Sequence, residues 1–549
     1  MENSIRWQRA ELLIFTTVAL VNLLPFVATR FFPSMDGPSH LCNSNIINQL
    51  VFYHNNLFHQ FFTINPEPVP NWTSHLLVSL LMLVMPAFLA EKILILIILT
   101  GIPFAFRTLL QTISPRQTLY SFLIFPFTHS MFFFFGFYNF CLAILFFLVT
   151  LNYWLRHEQT PWNPKRLISF VLLVTATYFS HIVIFGLLII IIILHMATGF
   201  IAGLLVKEAG VKTMIMRLWK KIIIVTLASI VPFLLFIYFF YSRPGTRVIS
   251  FISRQELISY LVTVRPAITF NIIDEGRFTR FLFYLLILLV AIGLGAFLTR
   301  LARMLFSKPG EKRGHPETLL PQPAFWWLLA SAGLMLFLFF NLPDAYGTAS
   351  YTSLRIAFIF FLTLFLLIST FRLPWWIGLL ALFIGVSVNL ALIRFYRPKI
   401  MELSSLAVSV NKTADHVAPN SMVLPVDGLE EWYTGHFADF LAVDKPIVMI
   451  KNYECVSGYF PVIWNKDTKP DCFLGSPATP RRYMNFGVTK GHPYIPVDYV
   501  LVIGQYDPAR DWFCTLHRIL TNDFVLVYSN EHCRLFKNKA PRIPVKLPG

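Results

Sequence analysis

Charge is what this sequence has least of. Of its 549 residues only 13% are Asp, Glu, Lys or Arg, about half of the roughly 25% carried by a soluble globular chain. Acids are the scarcer sign, 28 against 45 Lys+Arg, for a net charge of +17. Asp36 is the only aspartate before Asp274. Six cysteines are present and none forms a CxxC pair, which removes the common zinc modules. In place of charge stand 56% hydrophobic and 16% aromatic residues, including 56 Phe, and the mean hydropathy is +0.63. These shortages exclude a water-soluble enzyme, a disordered chain and a nucleic-acid binder. The basic excess is what cytoplasmic loops and contacts to anionic lipid produce in a polytopic membrane protein.

The shortage of charge is uneven. Residues 1–393 carry 27 Lys+Arg and 13 Asp+Glu, whereas 394–549 carry 18 and 15, close to a soluble composition. The reading is therefore a multi-spanning membrane domain, 1–393, followed by a soluble domain, 394–549, large enough for its own core. A hydrocarbon core of ~30 Å needs about 20 apolar residues in a helix. Uncharged runs of that order lie at 12–29, 68–90, 222–242, 281–299, 318–343 and 373–393. Longer runs, 117–155 and 167–206, each have room for two helices, and shorter ones lie at 93–106 and 356–371. The expectation is a polytopic α-helical membrane protein of about 11–13 transmembrane helices with a C-terminal extracytoplasmic α/β domain.

Orientation follows the basic loops. Arg6 and Arg9, and the segments 156–166, 207–221 and 300–313, place the N-terminus and three loops inside. The stretch 32–72, the hairpins near Gly136 and His181, the loop 243–277 and the tail then face outward, an arrangement that needs an odd number of crossings. The first apolar run lacks a small-residue cleavage site and reads as an uncleaved span. In the tail, strand-like runs stand at 421–426, 446–450, 499–503 and 524–527 between Pro/Gly-rich segments. No nucleophile elbow or phosphate-binding glycine loop occurs there. Cys455, Cys472, Cys514 and Cys533 all fall in the tail; two disulfides or four buried thiols are both open. Aromatic-rich Asn452-Tyr453-Glu454 and Gly458–Asn465 suit either carbohydrate stacking or packing.

Chemistry concentrates just past the first span, in Asp36-Gly37-Pro38-Ser39-His40. Gly37-Pro38 reads as a turn, and an amphipathic helix along the outer surface follows from Ser39 to Val51. An aspartate against an apolar wall acquires a pKa suited to taking a proton from a hydroxyl; the other reading of Asp36 is a helix cap. His40, four residues on, has a spacing that shares a metal on one helical face. The intervening Gly-Pro argues against continuous helix, so no metal ligand is assigned and a divalent cation remains only an optional cofactor. The aromatic/polar alternation of Tyr53–Phe62 reads as an interfacial helix.

The order of a single helix, an acidic Asp36-Gly37-Pro38-Ser39-His40 segment and juxtamembrane helices resembles the C-type (GT-C) glycosyltransferase superfamily of integral membrane enzymes. Gly136-Phe137-Tyr138-Asn139-Phe140 and Tyr178-Phe179-Ser180-His181 resemble patterns of its bacterial members. Where many of those have a second acid after the first, this chain has Gly37. The resemblance implies a cytoplasmic-membrane enzyme that moves a hexosyl or pentosyl group, with inversion, from a polyprenyl-phosphate carrier to a lipid, glycan or protein acceptor on the outer face. Asp36 is then the catalytic base.

Such a displacement also needs positive charge on the leaving phosphate. The outward loop supplies Arg243, Arg247, Arg254 and Arg265, against the positive-inside tendency, and arginine's fork suits phosphate; lipid headgroups or local acids are the competing partners. His40, His181, Asp344, Tyr346 and Arg355 complete the candidate substrate contacts. Two other readings stand beside the enzyme: a transporter or flippase of lipid-linked glycans, where the acid-poor spans count against ion-coupled transport but not against a scramblase, and an inactive scaffold of the same fold, which the missing second acid keeps open.

Overall fold

The computed structural model describes residues 2–206, 210–242, 249–306, 323–346, 350–371, 373–429, 431–466, 468, 497–505, 507 and 511–540. Among these residues nine helices are long and apolar enough to cross a membrane: Trp7–Val27, Ala87–Ile113, Tyr138–His157, Ile182–Val206, Val211–Tyr241, Ile272–Arg300, Ala324–Asn341, Thr352–Ser369 and Trp375–His416. The protein is a polytopic α-helical membrane protein with a small C-terminal sheet. Each span is built on one of the uncharged runs, because an apolar run in lipid satisfies its backbone polar groups only within a helix. The count differs from the sequence expectation at three places, one of them the run 167–206, whose first helix, Pro164–Ser180, has 17 residues. The run 68–90 yields a helix of 10 residues, Thr73–Met82, about 15 Å long and half of what a bilayer requires. In 117–155 the first half breaks into short pieces, Thr118–Ile124, Phe125–Thr128 and Met131–Phe134, before Tyr138–His157 begins.

The chain forms two compact units. The first comprises residues 1–24, 96–133 and 140–396, the second 25–95, 134–139 and 397–549. The tail that composition separates at 394 thus shares its unit with two segments from the N-terminal third.

The first unit is helical. Val211–Tyr241 leaves Ile223, Leu227, Ile230, Leu234 and Tyr238 exposed, an apolar stripe at helical spacing with hydrocarbon as its natural solvent. Several polar groups inside this unit pair with one another. Asn22 donates to Thr128 Oγ1 at 2.9 Å and accepts from Asn389 at 2.7 Å. Lys221 Nζ reaches Glu158 at 2.5 Å, and the Glu275 carboxylate accepts from the Tyr396 hydroxyl at 2.9 Å and from the backbone N–H of Thr269, Phe270 and Asn271.

The second unit carries the helices α1 (Gly37–Val51), α2 (Asn56–Phe61), α3 (Thr73–Met82) and α4 (Glu454–Ser457). Its strands are β1 (Phe62–Ile64), β2 (Ser421–Gly428), β3 (Ile447–Met449), β4 (Val462–Trp464), β5 (Tyr499–Gly504), β6 (Phe524–Ser529) and β7 (Cys533–Asn538). A five-stranded sheet runs in the order β3-β2-β5-β7-β6, parallel across β3-β2-β5 and antiparallel across β5-β7-β6. All four strand-like runs of the tail are in it. β2 lies inside the sheet, between β3 and β5, and is buried over its first six residues, as a strand covered on both faces must be.

Two expectations for this unit are overturned. α1 is no surface helix: every residue from Gly37 to Leu50 is buried. Its polar side chains bond to protein instead of water, Asn45 to the carbonyl of Ala442 at 2.9 Å and Asn48 to that of Ser79 at 3.0 Å, which is how buried amides are accommodated. The segment 53–62 is not one interfacial helix either. It divides into α2 and β1, and β1 pairs antiparallel with β4, Phe62 opposite Trp464. Cys455 and Cys533 are buried free thiols, so neither is half of a disulfide; Cys472 and the side chain of Cys514 lie outside the described residues.

Candidate functional site

Asp36 stands at the N-cap of α1 but makes no side-chain capping bond. Pro38 occupies the first turn, where its missing N–H costs nothing, and the helix is continuous from Gly37, with the His40 N–H bonded to the Asp36 carbonyl at 3.0 Å. The Gly-Pro pair thus starts the helix and does not interrupt it, contrary to the sequence reading. The approach to Asp36 is fixed by the segment 134–139: Met35 and Asp36 donate their N–H groups to the carbonyls of Phe134 and Phe135 at 3.2 and 3.0 Å. Gly136 sits at φ +75, and a Cβ there would lie 2.5 Å from Gly37 N. A Cβ on Gly37 would meet Ser34 Oγ at 2.1 Å and the Tyr138 hydroxyl at 2.8 Å. Position 37 therefore has no room for a side chain without movement of Ser34 and Tyr138. The carboxylate nearest that space is Glu91, which accepts from the Tyr138 hydroxyl at 2.7 Å.

The Asp36 carboxylate itself is buried. His436 Nε2 lies 3.6 Å from its Oδ1, and the Tyr453 ring stacks on His436 at 4.2 Å between centroids. The Tyr453 hydroxyl faces Asp36 without a well-formed hydrogen bond. Burial raises Asp36 to about 7, against the lowering influence of His40 and Tyr453. Burial also lowers His436 to about 4, helped by Lys451. Near neutrality the pair is a half-ionised carboxyl beside a neutral imidazole, a poise suited to accepting a proton. His436 also borders a small cavity lined by Asp427, Thr434, Asp439 and Lys451. That cavity lies near the carboxyl ends of parallel strands β2 and β5, where open α/β sheets place ligands.

One turn into α1, His40 joins a second constellation. His40 Nδ1 lies 3.0 Å from His75 Nε2 and 2.8 Å from Glu454 Oε1, and His75 Nε2 lies 2.9 Å from Glu454 Oε2. All three residues are buried, and among the described residues this is the one group of three His, Cys, Asp or Glu side chains whose ligand atoms converge. Asn43 donates to Glu454 Oε2 at 2.6 Å, and the Asn139 amide carbonyl accepts the Ser74 N–H at 2.8 Å at the head of α3. Burial pulls His40 down, but the Glu454 carboxylate more than offsets it and the net shift is upward. His75 is lowered by burial despite Glu454. Burial raises Glu454, and the two imidazoles outweigh it, holding the carboxyl well below its ordinary range.

The remaining sequence candidates lie elsewhere. Arg243 and Arg247 fall outside the described residues. Arg254 opens an exposed helix, Arg254–Val262. Arg265 donates to the Ile268 carbonyl three residues on, at 2.7 Å. Asp344 accepts from the Ser353 N–H at 3.0 Å, a brace at the start of Thr352–Ser369, and Tyr346 pairs with Ile249 in a two-stranded ladder. Arg355 and His181 converge within the first unit: the guanidinium carbon stands 5.9 Å from the Phe140 ring centre and the His181 ring 5.4 Å from it. Sequence reasoning did not assign His75, His436 or Asp439. Tyr453 and Glu454 lie in a segment singled out only for its aromatics.

No protein-family model matches this sequence, and none of the curated proteins is similar to it in sequence. Among solved structures, ArnT from Cupriavidus metallidurans in the apo state aligns over 97% of this chain and 100% of its own, at 10% identity and a TM-score of 0.42. The same protein bound to undecaprenyl phosphate aligns over 97% and 98%, at 11% identity and a TM-score of 0.42. At that score the likeness carries no conclusion about function.

Proposed function

We propose that this protein is an integral membrane glycosyltransferase that moves a sugar from a polyprenyl-phosphate carrier to an acceptor at the outer face of the membrane, with Asp36 as the base. The carrying observation is the state of Asp36. It occupies a cap position without capping, it is buried, and its environment sets it near neutrality. A carboxylate used only to end a helix would bond to the free N–H groups of the first turn. The Tyr453 hydroxyl and His436 border the same carboxyl group and are suited to orienting an acceptor hydroxyl against it. Inversion follows from a single acceptor-side base acting on one displacement. The GT-C resemblance supplies the donor class, and Arg355 is the cation we assign to a phosphate contact, by arginine's planar fork.

The test is sugar transfer in reconstituted membranes from polyprenyl-phosphate sugars, comparing wild type with Asp36→Asn, which keeps shape and removes charge. Loss of a general base lowers turnover by ~10²–10⁴-fold. Equal transfer by the two proteins removes Asp36 from the chemistry. Arg355→Lys keeps the charge and loses the fork; its expected signature is a weaker donor interaction with the Asp36 dependence intact.

A further inference from the structure

We propose that His40, His75 and Glu454 bind one divalent transition-metal cation, clamping α1, α3 and the tail of the second unit together. This inference does not depend on the proposed function.

The argument is one of donors and acceptors. His75 Nδ1 lies 3.1 Å from the Asn71 carbonyl, and the His40 ring hydrogen-bonds the backbone of Gly136. A carbonyl only accepts, so in the tautomers that donate to these two backbone groups each ring carries its N–H on the outward side. The two inward nitrogens, His40 Nδ1 and His75 Nε2, then both present lone pairs, 3.0 Å apart, and the third group facing them is a carboxylate. Three electron-pair donors thus point at one another in a buried place. Glu454 Oε1 shows the consequence: although it lies 2.8 Å from His40 Nδ1, it receives no hydrogen bond of acceptable geometry. A cation at the point of convergence satisfies all three.

The spacing fits a metal of a particular kind. With bonds of ~2.0–2.2 Å, ligand atoms at ~90° stand ~2.8–3.1 Å apart, and atoms at ~109° stand ~3.3–3.6 Å apart. The two nitrogens stand 3.0 Å apart, and each lies against its own oxygen of the Glu454 carboxylate, His40 Nδ1 2.8 Å from Oε1 and His75 Nε2 2.9 Å from Oε2, separations of the size that neighbouring ligands of an octahedral ion show. Two imidazoles and one carboxylate at such spacing suit iron(II), manganese(II) or cobalt(II) and leave other positions open. The outer shell is also in place. The His75 ring is oriented through its far nitrogen by the Asn71 carbonyl, and Asn43 holds Glu454 at 2.6 Å, the pattern by which proteins fix metal ligands.

The experiment uses the full chain purified in detergent without chelator. Metal is counted by mass spectrometry after purification, after EDTA, and after reloading with Mn²⁺, Fe²⁺, Co²⁺ or Zn²⁺, and thermal stability is followed at each stage. The expected result is about one metal per chain, lost with EDTA, regained on reloading, with melting temperature falling and recovering in step. Glu454→Gln is expected to abolish retention. Asn43→Ala, which keeps all three ligands, should weaken affinity by ~10–100-fold. A wild-type chain that holds no metal after reloading, and whose melting is indifferent to EDTA, overturns the proposal: a proton then bridges the two imidazoles.

Discussion

At the scale of single residues, the second unit depends on two positions where chemistry and space are tightly set. Gly136 combines a positive φ with a neighbour where its Cβ would be. Gly136→Ala therefore meets both the left-handed backbone penalty of ~1–2 kcal/mol and a collision with the Gly37 backbone that holds Asp36. The expected outcome is a clear fall in melting temperature and in folded yield, read by fluorescence-detected size exclusion; an unchanged melting curve would refute the close approach. Asp439 is the second. Burial raises it to about 7, opposed by the Ser39 hydroxyl that donates to it. Between 3.8 and about 7 the folded chain keeps a proton on Asp439 that the unfolded chain has lost, so the native state binds more protons and stability falls as pH rises through that window. The effect is at most ~4 kcal/mol. Melting temperature should decline from pH 5 to pH 8, and Asp439→Asn should flatten the decline; a steeper slope in the variant contradicts the assignment.

At the scale of elements, the short ladder between β1 and β4 ties residues 62–64 to the tail, with the Phe62 and Trp464 rings 4.3 Å apart and both buried. Trp464→Ala leaves a large void beside Phe62 and should cost ~3–5 kcal/mol, measured as a loss of melting temperature in detergent; Trp464→Phe should recover most of it. This ladder also marks where sequence reading stops. The nine long spans and four of the six described strands of the tail were legible because long apolar runs and β-branched runs admit few alternatives. α1 was misread because its Asn and Ser residues look like a wet face, when they bond to the carbonyls of Ala442 and Ser79. Asp36 was legible as an isolated acid after a span. The His40–His75–Glu454 group was not, since its members are 35 and 379 residues apart and only folding brings them together. The extended aromatic stretch 53–62 hid β1 because a strand partner 400 residues away leaves no local periodic mark.

At the scale of the whole molecule, the open question of the sequence was parity: an inside N-terminus and an outside tail need an odd number of crossings. The nine long spans do not by themselves place every basic loop inside. Between Tyr138–His157 and Ile182–Val206 lies the 17-residue helix Pro164–Ser180, joined to the next helix through His181 alone. If it did not cross, the basic segments 156–166 and 207–221 would fall on opposite sides. The broken stretch Thr118–Phe134 must likewise cross to keep the loop before it and segment 156–166 on one side, whereas the 10-residue Thr73–Met82 is too short to cross. Counting the first two and not the third gives an odd total and puts 156–166, 207–221 and 300–313 all inside, as their Lys and Arg require. On that count the positive-inside tendency predicts that the seat of Asp36, just beyond the first span, and the tail that carries His436 and Glu454 share the outer side. Alkaline phosphatase fused behind residue 549 should be active and green fluorescent protein at the same place dark, with the reverse pattern for fusions within 157–163. A fluorescent fusion at the tail would place Glu454 in the cytoplasm, remove the outer-face acceptor from the proposed reaction, and require one of the two short crossings to be given up.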